Sequence, residues 1–132
     1  MTGSINQHGR VQVVGGLNEK IEGFFDVCAR RGLTGEQAVL IPADNVQHLM
    51  LRDDLLGAVR ENRFRVYAVR SVDEAMEFLT GVPAGERDAQ GEFPEGTVNR
   101  RVEDQLLAFA RTRRKFARHE RTPATRRDDS AR

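Results

Sequence analysis

The stretch that most constrains this chain is a junction. Val11-Gln12-Val13-Val14 runs into Gly15-Gly16, and Leu17-Asn18-Glu19-Lys20-Ile21-Glu22-Gly23-Phe24-Phe25-Asp26-Val27-Cys28 follows at once. The valine-rich run reads as a strand, the glycines as a tight turn, and the rest as an amphipathic helix. Projected at about 100° per residue with Leu17 at zero, Phe24, Cys28, Ile21 and Phe25 fall at roughly −20°, +20°, +40° and +80°, and Val27 at roughly −80°. Glu19, Glu22, Asp26 and Arg30 lie on the far side. Lys20 falls at roughly −60°, inside the apolar arc and in the first turn. A lysine there ordinarily snorkels along the edge of the stripe, so geometry alone assigns it no chemistry.

The helix would end at Gly32, a natural left-handed residue after Arg30 and Arg31. Before the junction, Thr2 to Gln7, the turn signal His8-Gly9, and Arg10 to Val14 read as a hairpin. After it, the continuous apolar run Ala38-Val39-Leu40-Ile41, closed by Pro42, reads as a buried parallel strand. Asp44 or Asn45 is a candidate cap for a short helix through Val46, Leu49 and Met50, and Asp53 to Asn62 is a second helical stretch. Phe64 to Val69 alternates like a strand. Ser71, with Glu74 three residues on, is a capping-box start for a helix through Val72, Ala75, Met76 and Leu79 that ends at Gly81. From Val11 to Leu79 the order is β-α-β-α-β-α, which predicts an α/β layer.

Residues 81–97 hold four of the chain's twelve glycines together with Pro83 and Pro94, and read as a linker. Thr97 caps a last helix, expected over 98–120, with the stripe Val98, Val102, Leu106, Phe109 and Phe116. Residues 121–132 are polar and are expected to be disordered. The organisation expected is thus a folded body over 1–80, a linker over 81–97, the helix and a tail.

At 132 residues the chain has room for one domain, with or without a tail. No run is long enough to span a bilayer and the N-terminus lacks signal-peptide features, so no membrane partner is expected. The single cysteine, Cys28, lies on an apolar helix face and predicts a buried thiol in a reducing, intracellular compartment. The net charge of +1 conceals an asymmetry, because residues 111–132 carry nine Lys or Arg against three Asp or Glu. That stretch could contact nucleic acid or an acidic partner through its cations, although Phe116 is its only aromatic residue.

Other chemistry is excluded more firmly. His8, His48, His119 and Cys28 have no metal-ligand spacing, and His8 reads as a solvated turn residue. The glycines match neither the Walker pattern nor G-x-G-x-x-G, so this chain is not expected to bind a nucleotide. Lys20 remains. A lysine serves as a general base if its amine is neutral, which requires its ordinary pKa of about 10.4 to fall by several units. Apolar neighbours such as Phe24 and Val27 and the positive end of a helix dipole both work in that direction. Such an amine can deprotonate a serine nucleophile.

The run Thr2-Gly3-Ser4-Ile5-Asn6-Gln7-His8-Gly9-Arg10-Val11-Gln12-Val13-Val14-Gly15-Gly16-Leu17-Asn18-Glu19-Lys20 resembles the Lon family of ATP-dependent serine peptidases, with its T-G, G-x-V and G-G-x-x-x-K elements in order. Ala38-Val39-Leu40-Ile41-Pro42-Ala43-Asp44-Asn45 continues the resemblance as V-L-I-P-x-x-N, and Val69 to Leu79 resembles the family's closing strand and helix. Glu19-Lys20-Ile21-Glu22-Gly23-Phe24-Phe25-Asp26-Val27-Cys28 is most similar to the Lon-related bacterial branch. The resemblance implies a partial Lon proteolytic fold and ATP-dependent hydrolysis of unfolded or damaged polypeptides by a Ser-Lys dyad. It further implies a homo-oligomeric ring in the bacterial cytoplasm. Lys20 matches the catalytic lysine, Thr2 a supporting threonine beside it, and Gly15 and Gly16 the turn that presents it. The family's serine lies upstream in a G-x-S-A context. Ser4, Ser71 and Ser130, the only serines here, lack that setting. The chain is therefore expected to be a C-terminal portion of such a domain without its nucleophile, and inactive alone. ATP and magnesium would act through an ATPase module that is not in this sequence, and no cofactor or metal is expected on the chain itself.

Overall fold

The computed structural model describes residues 1–119, and the chain divides into two compact units, the first spanning Met1–Ala84 and the second beginning at Gly85. In the first unit the hairpin comprises β1 (Ser4–Ile5) and β2 (Val11–Gln12), antiparallel with Ser4 opposite Gln12 and Ile5 opposite Val11. It is shorter than its sequence suggests because the Asn6 side chain takes over the turn. Its Oδ1 accepts from the backbone N–H groups of His8 at 2.9 Å and Arg10 at 3.0 Å, diverting the Arg10 donor from the strand ladder.

Helix α1 (Leu17–Arg31) begins at Gly16, whose φ of 63° and ψ of 32° place it in the left-handed region that a side chain disfavours. It stops at Gly32, with φ 91°. Strand β3 (Ala38–Pro42) pairs in parallel with β4 (Arg65–Val69), Leu40 opposite Tyr67. The parallel pairing expected of the continuous apolar run is present, and its physical reason is visible in the two faces. Val39 and Ile41 join Leu17, Ile21 and Phe25 of α1, Leu55 and Ala58 of α2 (Asp53–Arg60), and Phe64 in one buried cluster. Leu40 points the other way and joins Val11, Val69 and Ala75, the last on α3 (Val72–Thr80). Alternate residues of β3 thus enter different cores, so no position could be polar. Order and layering make this an α/β fold.

Ser71 caps α3 as expected, its Oγ accepting from Glu74 N–H at 3.1 Å. The reciprocal bond of a capping box falls one residue early: Glu74 Oε2 accepts from Arg70 N–H at 2.7 Å. The hairpin docks at the end of β4, where Val11 N–H donates to the Arg70 carbonyl at 2.9 Å and Val72 N–H to the Gly9 carbonyl at 2.8 Å.

The residues after β3 depart from expectation. Neither Asp44 nor Asn45 caps a helix; Ala43–His48 is a 3₁₀ turn entered from Pro42, and Asn45 lies buried within it. Proline fixes the entry, and Asn45 is drawn inward by backbone groups described below. Beyond the turn Arg52 ties α1 to α2. Its guanidinium holds Asp26 on α1 at 2.6 and 3.2 Å and Asp54 at 3.0 and 3.1 Å, while its N–H donates to Glu22. Both carboxyls are held below the ordinary carboxylate range, first of all by these hydrogen bonds from Arg52.

In the second unit, the stretch before α4 (Val98–His119) contains turns and no helix or strand. Thr97 Oγ1 donates to the Pro94 carbonyl at 2.8 Å and accepts from Arg100 N–H at 3.3 Å, capping the helix as read. Gly85 packs so closely on this threonine that a Cβ would sit 2.6 Å from Oγ1. Arg87 stacks 4.1 Å over the Phe93 ring and pairs with Glu103. The expected tail over 121–132 lies outside the described residues.

Candidate active site

The lysine is placed by three local devices. Gly16 turns the chain into α1, Leu17 and Ile21 anchor the first turn in the core, and Lys20 N–H donates to the Gly16 carbonyl at 3.3 Å. The side chain then folds back over the turn, its Nζ donating to the Gly15 carbonyl at 3.3 Å. The glycine turn is itself pinned by Asn45, only 3% exposed. Asn45 Oδ1 accepts from Val14 N–H at 3.0 Å and its Nδ2 donates to the Val14 carbonyl at 3.1 Å. Helix-capping propensity makes Asn45 a possible cap in the sequence. The signal for its present role lies in its place within V-L-I-P-x-x-N rather than in any capping pattern.

Thr2 reaches the same place from the hairpin side. Its N–H donates to the Leu40 carbonyl on β3 at 3.0 Å. Gly3 follows, and a Cβ there would stand 3.2 Å from a Val11 methyl. Thr2 and Lys20 line one cavity of about 270 Å³ with Met1, Phe24, Ala38 and Val39. The structure therefore brings the two sequence-predicted site residues to a common wall.

The dry setting expected around the lysine is not formed by the described residues. Lys20 is exposed, and Phe24 and Val27 beside it are 43% and 48% exposed. The buried face of α1 is Leu17, Ile21, Phe25 and Cys28, centred on the opposite flank of the apolar arc. Lys20, Phe24 and Val27 share the other flank, which this unit covers only in part, through the Phe24 ring beside Phe64. A helix stripe wider than its buried face leaves one margin open, and the lysine stands on that margin.

No serine joins the lysine among the described residues. Ser4 is exposed on β1 and lines a different groove, with Asn6, Arg10, Asp44 and Arg70. Ser71 is committed to capping α3, and Ser130 lies outside the described residues. His8 sits in the hairpin turn and His48 beside the glycine turn, both exposed. Among the described residues no group of His, Cys, Asp and Glu is arranged to hold a metal.

Compared with protein-family models, residues 1–80 match the Lon protease (S16) C-terminal proteolytic domain. The chain is 54% identical over 79 residues to a Lon protease homolog of Escherichia coli (strain K12), covering 60% of this chain and 14% of that protein. It is 52% identical over 81 residues to a homolog from Haemophilus influenzae, covering 61% and 14%. Similarity to the Lon protease of Haemophilus influenzae is lower, 37% over 86 residues, covering 64% of this chain and 9% of that protein. The chain thus spans about one seventh of the length of the first two relatives.

Proposed function

Because the chain belongs to the Lon protease (S16) proteolytic-domain family, we propose that residues 1–80 carry the base half of a Ser-Lys peptidase site, with Lys20 as general base and Thr2 as its support. The observation that carries this reading is the shared cavity wall, reached by Lys20 from α1 and by Thr2 from the strand side. In this mechanism the neutral Lys20 amine takes the proton of a serine hydroxyl as its oxygen attacks a peptide carbonyl. The resulting ammonium returns the proton to the leaving amine. The Gly15 carbonyl accepts from Nζ in the resting geometry and aims it. Closure of the open margin, where Phe24 and Met1 are exposed, would supply the desolvation that favours the neutral amine.

The nucleophile comes from residues outside this sequence, and so do the ATP-binding parts. The chain by itself is inactive. In the assembled enzyme the substrates are unfolded or damaged polypeptides, and the assembly is a cytoplasmic ring. A fluorogenic-peptide assay on the purified chain should show no turnover above buffer; turnover that disappears with Lys20→Ala would overturn the inactivity. Residues 1–80 placed in the matching segment of the Haemophilus influenzae Lon protease should support peptide hydrolysis. Lys20→Ala in that chimera should lower it by about a hundredfold or more, with an unchanged thermal melt. Retained activity would remove Lys20 from the mechanism.

A second reading, a binding module that uses the basic stretch from Arg111 to Arg127 on nucleic acid or an acidic partner, is favoured by the exposure of Arg111, Arg113 and Arg114. Salt-dependent DNA binding lost on deletion of residues 111–132 would support it, and undiminished binding would refute it.

A further inference from the structure

Helix α4 lies outside the residues that match the family and has a chemistry of its own. Val102, Leu106, Phe109 and Phe116 form its stripe, and each is at least half exposed, Phe116 reaching 71%. Projected at about 100° per residue from Val102, Phe109, Phe116 and Leu106 fall at roughly −20°, −40° and +40°. Arg113 falls at roughly +20°, inside the stripe, while Arg111, Arg114 and Lys115 fall on the opposite face. The two acids of the helix are already engaged, Glu103 by Arg87 at 2.8 Å and Asp104 by Arg100 at 3.4 Å. From Gln105 to His119 there is no Asp or Glu, against Arg111, Arg113, Arg114, Lys115 and Arg118.

We propose that α4 lies flat on an anionic lipid bilayer, with Leu106, Phe109 and Phe116 inserted at headgroup depth and the basic half on the lipid phosphates. Charge complementarity selects this occupant. A parallel copy of the helix would set the basic halves against each other. An antiparallel copy would oppose each basic half to residues 99–106, where Arg100 and Arg101 offset Glu103 and Asp104. Arg113 adds a second argument. Within a dry protein interface its charge would be buried among phenylalanines without a partner, whereas at a lipid surface the long side chain reaches the headgroups. Nucleic acid would satisfy the arginines and leave the apolar stripe unused. No helix among the described residues is long and apolar enough to cross a membrane, which fits a helix lying in the interface. This departs from the expectation of no membrane partner, because a search for spanning runs does not register a stripe spread around a helix.

The test uses the full chain and vesicles of phosphatidylcholine alone or mixed with one quarter phosphatidylglycerol. The protein should co-sediment with the anionic vesicles and stay in solution with neutral ones. Arg111→Ala with Arg114→Ala should weaken partitioning on the order of thirtyfold. Leu106→Ser with Phe109→Ser should weaken it at least tenfold at unchanged helix content by circular dichroism. The chain has no tryptophan, so Phe116→Trp gives a single probe whose emission should shift to the blue on anionic vesicles. Vesicle binding that survives the Leu106 and Phe109 changes and is displaced by duplex DNA would overturn the proposal in favour of charge-only contact. Concentration-dependent dimers abolished by Phe109→Ser, with no vesicle binding, would overturn it in favour of self-association.

Discussion

Helices α1 and α4 carry comparable apolar stripes and meet opposite fates. In α1, Leu17, Ile21, Phe25 and Cys28 are buried against β3, α2 and Phe64. In α4, Val102, Leu106, Phe109 and Phe116 face solvent over a longer helix. Amphipathicity in a sequence specifies which face wants cover and says nothing about whether the same chain supplies it. The two helices also differ within themselves. The buried arc of α1 leaves its lysine-bearing margin half exposed, so even the well-packed helix has a part that its own unit covers incompletely.

The sharpest way to break this comparison is to remove one ring from the core that covers α1 and one from the stripe of α4. Phe64 is fully buried, with its ring 5.3 Å from that of Phe25 in an edge-on arrangement and 6.0 Å from that of Phe24. Phe64→Ala should destabilise the chain by about 3–5 kcal/mol in urea unfolding, while Phe109→Ala should leave the midpoint unchanged. Equal losses would mean that α4 is covered after all. A smaller effect is expected at Asn45. Its replacement by alanine strands the N–H and carbonyl of Val14, at a cost of about 1–3 kcal/mol, and Asn45→Asp should fail similarly because a carboxylate cannot donate to the carbonyl. If stability holds but the chimeric peptidase loses turnover, Asn45 acts on the site alone.

The smallest effect is electrostatic. Asp26 and Asp54 are held below the unfolded carboxyl value of about 3.9, so the stability they lend is present above that pH and is lost as pH falls through their lower folded values. The melting temperature should therefore show an extra drop below about pH 4 that Arg52→Ala removes. Because the trio is exposed, a shift of at most a few degrees is expected; identical acid profiles for both proteins would show that the clamp adds nothing.

Much of the body was legible because its signals were local and mutually consistent. Gly16 and Gly32 bracket α1, Ser71 and Gly81 bracket α3, and the unbroken Ala38–Pro42 run could belong only to a strand covered on both faces. What escaped depended on side chains reaching across the chain. Asn6 shortened the hairpin by capturing backbone donors, and Asn45 left the expected cap position to serve Val14. For Lys20, the glycine turn and the place in the first helical turn follow from the order of motifs, but its exposure depends on which flank of α1 other elements cover, and helical periodicity does not contain that.

The bond pair made by Asn45 has one more consequence. A primary amide that both donates and accepts on one residue imitates a peptide group, so Asn45 acts as a strand one residue long beside Val14. The carbonyl of Gly15, which aims the lysine, is thereby indexed to the end of β3 and not to the hairpin that precedes it. The reach of the amine is gauged from the end of β3, and a hairpin free to bend at its tip would leave that gauge unmoved.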